Sequence, residues 1–547
     1  MADHPRSFAF EAVSQLDSDA SSALATIREW KNSFALINRI PTDIISLVPT
    51  YLASQKDRIR AASMCRHWRG VLLRNCALWS QMFLIKGEEC VSTLLERAKG
   101  SALDIIAHHD APPGTMTLIF SRAQQIRSLE FTQSYWMDVI KFSESIPGRL
   151  PLLRILEINT HDTYSTYFRP GVMTPPPPPL FSGSTNLEHF VFRSRVLPFL
   201  GSFVFPNLTT FKLSAYTVVE SSASYLLDFL KASPTLETVK VEISPRVVLG
   251  GVPQEMVVVL PNVKSFSLQV THDPTGHIYD LAAHISCPRA RDTSLAHGVV
   301  DTHMGANVEM FPTPDSWSMI ARQYTASPIE EVTLEIERYE FENIECSLIF
   351  RTSSTTVLRS GFEVIETAVG ESEVEVSHEE ISWEIFYQAL TTIQGCPLLS
   401  RVKRLRIRYI ATLSAAHGIR RIGSRVRELF SSLGPLDELT IHHCDLHVFL
   451  ANFVDDLGNY TWEQPIVLPQ IKELVISHPM MEVDEEACLD AVVELAKSQH
   501  ARGIPFERLT IHMWDLPARI GEELMPWVDT VDCDWRGGPG LVTEVVD

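Results

Sequence analysis

Cysteine is scarce in this chain: nine in 547 residues, an odd number, with no CxxC pair among them. Without a leader segment, such a set reads as reduced thiols in the cytosol or nucleus. Basic residues are also in deficit. Lys and Arg number 47 against 67 Asp and Glu, a formal charge of −20, which argues against a broad nucleic-acid or anionic-membrane surface. No run of 18 apolar residues is present, so no membrane span is expected. The opening Met1-Ala2-Asp3-His4-Pro5 lacks a basic and then apolar leader, so the chain is expected to be cytoplasmic or nuclear and not secreted. The sequons at Asn207 and Asn459 then carry no glycan. GxSxG, GxxxxGK[ST] and HExxH are absent, so no catalytic residues, cofactor or metal are expected.

Apolar residues make up 45% of the chain and charged ones 21%, enough to bury a large core. Residues 1–36 read as a polar lead and a helix, on which Leu24, Ile27, Phe34 and Ile37, with Trp30 between, make one apolar stripe. Beyond residue 100 a short phrase keeps returning: apolar-x-x-apolar-x-apolar, often after Pro or a small residue. IRSLEF, LRILEI, LEHFVF, LTTFKL, LETVKV and VKSFSL begin at 126, 153, 187, 208, 236 and 263. IEEVTL, VKRLRI, LDELTI, IKELVI and FERLTI begin at 329, 402, 436, 471 and 506. This matches the strand signature of a leucine-rich repeat, although most steps sit at or beyond the long end of that repeat's period. ARDTSL, from Ala290 to Leu295, reads as a worn copy, and residues near 338–380 as an insertion. LDELTIHHCDL, from Leu436 to Leu446, is the best-formed unit, and Ile419, Ile422, Val426, Leu429, Phe430 and Leu433 read as a covering helix. The expected fold is α/β: a short helical domain at 37–84, then a curved parallel-sheet solenoid with outer helices over 100–535 and a tail at 536–547.

The segment from Ile37 to about Leu84 carries the functional signal. Pro41 suits a first helical position, and Ile44, Ile45, Val48 and Leu52 follow at helical spacing. Ile59, Ala62 and Cys65 suggest a second helix, and Trp68 and Leu72 a third before Leu78-Trp79. Three helices in some 45 residues bury too little surface to stand comfortably alone. Ile40-Pro41, Asp43-Ile44-Ile45, Met64-Cys65-Arg66-His67-Trp68-Arg69 and Leu78-Trp79 resemble an F-box, with Asp43 for the usual Glu and Pro49 where Phe is preferred. Pro49 is expected to kink or end the first helix. The layout as a whole resembles the large F-box families of mushroom-forming fungi.

The resemblance implies a non-catalytic substrate receptor of an SCF-type ubiquitin ligase, docked on a Skp adaptor and through it on a cullin and a RING subunit, with the repeats holding a protein substrate. Two other readings stand beside it: a Skp-binding protein that recruits no cullin, and a plain leucine-rich-repeat scaffold whose residues 37–84 are only a helical cap. The expected adaptor-binding residues are Ile40, Pro41, Ile44, Ile45, Val48 and Leu52, forming one exposed apolar patch. The expected domain core is Ile59, Cys65, Trp68, Leu72 and Trp79.

In the repeat phrase the first, fourth and sixth residues are expected inside, and the fifth and seventh on the opposite face. That face carries a basic-to-neutral stretch, and Arg406, Arg408, His442 and His512 are the candidate substrate contacts. The HHCxxH run from His442 to His447 does not converge as zinc ligands, because neighbouring strand residues point oppositely. Arg420, Arg421, Arg425 and Arg427 read as a wet helix face, the acidic run from Glu363 to Glu380 as an exposed hairpin or loop, and Pro175–Pro179 as a spacer.

Overall fold

The computed structural model describes residues 4–34, 39–52, 54–84, 87–108, 112–134, 139, 150–160, 181, 184–196, 200, 203–217, 223–243, 257–270, 281–301, 329–338, 343–352, 357–365, 402–410, 430, 433–443, 469–477, 485–512 and 517–534. The chain is mixed α/β and divides into two compact units, Met1–Asp162 with Leu180–Leu187, and Thr163–Pro179 with Glu188–Asp547. Among the described residues no helix is long and apolar enough to cross a membrane.

The first unit opens with helix α1 (His4–Ser33), followed by α2 (Thr42–Leu47), α3 (Gln55–Ser63) and α4 (Arg66–Arg74). A short parallel ladder follows: β1 (Gln81–Phe83), α5 (Glu88–Ala98), β2 (Leu103–His108), α6 (Pro113–Phe120), β3 (Ile126–Ser134) and β4 (Ile155–Thr160). Val91, Leu94, Leu95 and Ala98 recur at helical spacing, and they are the residues α5 buries. β2 alternates buried and half-buried residues along Leu103, Ile105 and Ala107, a strand that the repeat phrase does not mark.

The second unit holds β5 (His189–Val196), β6 (Thr210–Thr217), α7 (Ala223–Lys231), β7 (Thr238–Ile243), β8 (Val258–Val259), β9 (Ser265–Val270), β10 (Ile285–Ser286) and β11 (Asp292–Asp301). It continues through β12 (Ile329–Arg338), β13 (Asn343–Thr352), β14 (Val357–Ile365), β15 (Arg404–Ile410), β16 (Leu436–His443) and β17 (Ile471–Ser477). It closes with α8 (Glu485–Ala501), β18 (Phe506–His512), α9 (Pro517–Leu524) and β19 (Val528–Asp534).

The phrase sets the register. Leu129 lies beside Leu156, Phe211 beside Val239 and then Phe266, and Leu405 beside Leu439, Leu474 and Leu509, always fourth position against fourth. The fourth and sixth residues are buried in each of these copies, as alternation requires, and the first is buried as well. The link recurs as well. The second residue's amide donates to the second residue's carbonyl one copy earlier, in Arg154 to Arg127, Glu237 to Thr209, Lys264 to Glu237 and Asp437 to Lys403, all at 2.7–2.8 Å. The Asn or Thr before the first apolar residue donates its side chain back to a proline carbonyl, Asn186 to Pro151 at 2.7 Å and Asn262 to Pro234 at 3.1 Å. Around Phe190 the core is aromatic, with Phe203, Phe205, Phe211 and Phe229 within 5.2–6.1 Å between ring centroids.

The worn copy is a true member of the ladder: Ala290, Thr293 and Leu295 are buried, and Thr293 pairs with Phe266. The insertion behaves differently from the expected loop. β14 runs parallel beside β11, and β13 lies antiparallel between β14 and β12, so the insertion adds two strands inside the sheet. Glu363 therefore sits in β14, opposite Glu345. The reason is backbone chemistry: a hairpin between two open parallel edges satisfies the N–H and C=O groups of both. The rest of the acidic run, Pro175–Pro179, Ile419–Leu429, Cys444–His447 and the 536–547 tail lie outside the described residues.

Candidate functional site

The helical segment of the first unit is built on caps and two buried indoles. Pro41 sits at the N-cap of α2, one place earlier than its spacing suggests, and its carbonyl accepts the Ile45 amide at 3.0 Å. Asp43 in the first turn suits the positive end of the helix. The α-helix stops at Leu47 and the chain tightens into a 3-10 turn over Val48–Tyr51, where Pro49 supplies no amide to continue the ladder. Ser54 caps α3 by accepting the Asp57 amide at 3.1 Å while donating its hydroxyl to the Asp57 carboxylate at 2.6 Å. That hydroxyl, aided by Arg60, holds the Asp57 carboxyl below its ordinary value.

Cys65 is the N-cap of α4, with the Trp68 amide 3.5 Å from its sulfur. Trp68 is 4% exposed and Trp79 1%, and the Trp79 indole N–H donates to the Leu72 carbonyl at 2.9 Å. The Arg97 guanidinium lies 4.9 Å from the Trp79 ring centroid, tying α5 to the same core. Asn75 donates to the Ser46 carbonyl at 3.1 Å and so fixes the end of α4 against the end of α2.

Arg58 is among the members of this core that sequence reasoning misses. It is 7% exposed and donates to the Leu52 carbonyl at 3.2 Å and to the Gln81 side-chain oxygen on β1. Burial pushes its guanidinium pKa down. A charged residue on a helix face gives no sequence signal that it will turn inward to tie a loop to a strand. Ile59 beside it is 39% exposed, so the expectation of Ile59 as core is corrected, with Ala61 and Ala62 inside instead. Cys65, Trp68, Leu72 and Trp79 stand at or around the core, Cys65 half-buried at the cap.

The apolar patch is real but its membership changes. Ile44 is 49% exposed, and Leu47, Val48 and Tyr51 follow it outward at i+3, i+4 and i+7, one stripe of a helical surface. Ile45 is 0% exposed and Leu52 half-buried. The expectation that Ile45 lies on the exposed patch is therefore corrected: one residue is about 100° of helix turn, and that rotates Ile45 into the core. Leu47 and Tyr51 are the members the sequence reading misses, and strict i, i+3, i+4, i+7 counting from Ile44 finds them. Ile40 is half-buried and Pro41 exposed.

The candidate substrate contacts fall on the second unit. Arg406 is engaged by carboxylates: its guanidinium donates to Glu438 at 3.2 Å and lies 3.8 Å from Glu331. Glu331, 4% exposed, also receives Arg351 and lies 3.5 Å from Arg404. Arg408, His442, Ser477 and His512 stand in register on the consecutive strands β15 to β18, and His442 Nδ1 is 2.6 Å from the Ser477 hydroxyl. The structure thus brings Arg408, His442 and His512 into one row and binds Arg406 into a separate ion cluster. Among the described residues no group of His, Cys, Asp and Glu is arranged to hold a metal ion.

Compared with known families, residues 37–85 match the F-box-like family. The match spans the capped helices, both indoles and the apolar stripe just described. No curated protein matches the chain.

Proposed function

We propose that this protein is the substrate-recognition subunit of an SCF-type ubiquitin ligase. The exposed stripe Ile44, Leu47, Val48 and Tyr51, at the start of an F-box-like domain, is the observation that carries the reading. F-box domains typically bind Skp adaptors. An apolar stripe held open on a capped, well-anchored helix pair is the surface such a partner covers. The adaptor in turn brings a cullin and a RING subunit, and this chain does no bond chemistry itself.

The parallel ladder is a leucine-rich-repeat solenoid and holds the protein substrate. Equal phrase positions pair copy after copy, which supports stacking of half-cores into one body. The row Arg408, His442 and His512, in register on consecutive strands, is the favoured contact surface. Copurification of the full chain from cells, followed by mass spectrometry, tests the reading. Adaptor with cullin supports it, adaptor alone reduces the protein to an adaptor-bound scaffold, and neither removes the F-box assignment. With a captured substrate in hand, Arg408→Glu should abolish its recruitment while leaving adaptor binding intact.

A further inference from the structure

Helix α1, together with Phe34 one residue past its end, carries an apolar seam that the first unit leaves open. Val13, Leu16, Leu24, Ile27, Trp30 and Phe34 are each more than half exposed. Their spacing is heptad. Val13, Ala20, Ile27 and Phe34 recur every seven residues, and Leu16, Ala23 and Trp30 form a second row three residues on. Apolar residues at this period keep one stripe facing a second helix laid alongside, rather than an irregular groove. The ion pair between Arg66 and Glu29, at 3.4 Å, leaves the seam clear, because Glu29 falls outside both rows.

Size and charge select the helix that fits. A parallel, in-register pair would set Trp30 on Trp30 and Ala20 on Ala20, bulk on bulk and gap on gap. An antiparallel pair centred on Ala25 sets Ala20 against the second copy's Trp30, Ala23 against its Ile27 and Leu16 against its Phe34, large into small or large against large without a void. The charges agree. Arg6, Glu11 and Asp17 lie in the first half of α1, Asp19 just past its middle, and Arg28, Glu29 and Lys31 near its end. In the antiparallel register Asp17 flanks the second copy's Lys31 at both ends of the seam, and Leu24 meets itself across the axis.

The overlap from Leu16 to Phe34 is about 28 Å long at 1.5 Å per residue. With two aromatics of about 150–250 Å² per helix, it buries about 1,200 Å² in total, the lower edge of specific interfaces. We propose that α1 pairs with α1 of a second copy of this chain as an antiparallel two-stranded coiled coil. The pairing is independent of the adaptor-docking reading, since it uses neither α2 nor the turn after it.

Sedimentation velocity on the full chain across about 1–50 µM tests it. The expected result is a monomer–dimer equilibrium within that range. Ile27→Asp should weaken association at least about thirtyfold, the loss of a central anchor, with a thermal unfolding curve unchanged at concentrations below the dimer range, because the side chain is exposed in the monomer. Asp17→Lys and Lys31→Glu should each weaken it about tenfold, and the two together should restore it to within about threefold. A chain that stays monomeric throughout overturns the proposal. So does a dimer indifferent to Ile27→Asp, and failure of the double charge swap to restore pairing overturns the antiparallel arrangement.

Discussion

The Trp79 indole N–H donates to the Leu72 carbonyl oxygen at 2.9 Å, so the last turn of α4 is closed by a side chain seven residues further on. The bond locks the end of the F-box-like segment to its own third helix and leaves the indole 1% exposed. Trp79→Ala should cost about 3–5 kcal/mol, the range for emptying a buried aromatic site. Trp79→Phe keeps most of the ring volume but loses the N–H and some area, and should cost about 1–2 kcal/mol. Urea unfolding of the two variants checks the order.

Adjacent isoleucines on α2 have opposite fates, and two substitutions separate them. Ile44→Ala together with Tyr51→Ala removes exposed side chains, so stability should hold within about 0.5 kcal/mol. Adaptor affinity should fall by about 2–4 kcal/mol, as on losing interface anchors. Ile45→Ala empties a fully buried site and should cost about 2–4 kcal/mol of stability instead. Calorimetric binding beside thermal unfolding reads both.

In the worn repeat, Thr293 occupies a position where neighbouring copies carry Phe266 and Val239. Its hydroxyl is buried with no hydrogen-bond partner among the described residues. Thr293→Val keeps the shape and removes the orphaned group, so it should stabilise the second unit by about 1 kcal/mol. A rise in urea midpoint at constant slope is the expected result.

Glu331 is held between Arg351, Arg404 and Arg406 at the seam where the inserted strands join the ladder. The arginines are about two-fifths exposed, which tempers the effect of a buried pair. Glu331→Gln should still cost about 2–4 kcal/mol, because three guanidinium groups lose their shared carboxylate. Arg406→Ala should cost less, since Glu331 keeps two partners. Denaturant titration of both variants tests the ranking.

The repeat ladder was legible because its signal is periodic and backbone-enforced: alternation hides the fourth and sixth residues of each phrase, and these set the strand register. The F-box-like segment was legible from Pro41, the Cys65–Trp68 pair and Leu78-Trp79. Side-chain direction on short helices was harder to read. Ile45 turns inward and Leu47 and Tyr51 outward, because one residue is about 100° of helix turn and only counting from Ile44, not Ile45, traces the exposed stripe. Arg58 hid in the core because its charge is satisfied by oxygen atoms distant in sequence. The strands β13 and β14 gave no repeat phrase, since an antiparallel insertion obeys alternation without the leucine spacing.

The most direct measurement of the central claim is binding of a purified Skp adaptor to the full chain by isothermal titration calorimetry, for the unaltered protein and the Ile44→Ala, Tyr51→Ala variant. The account predicts one-to-one binding with a negative heat-capacity change, as burial of an apolar stripe requires, weakened about thirtyfold or more in the variant. No binding to the unaltered chain, or equal binding to both, would contradict it.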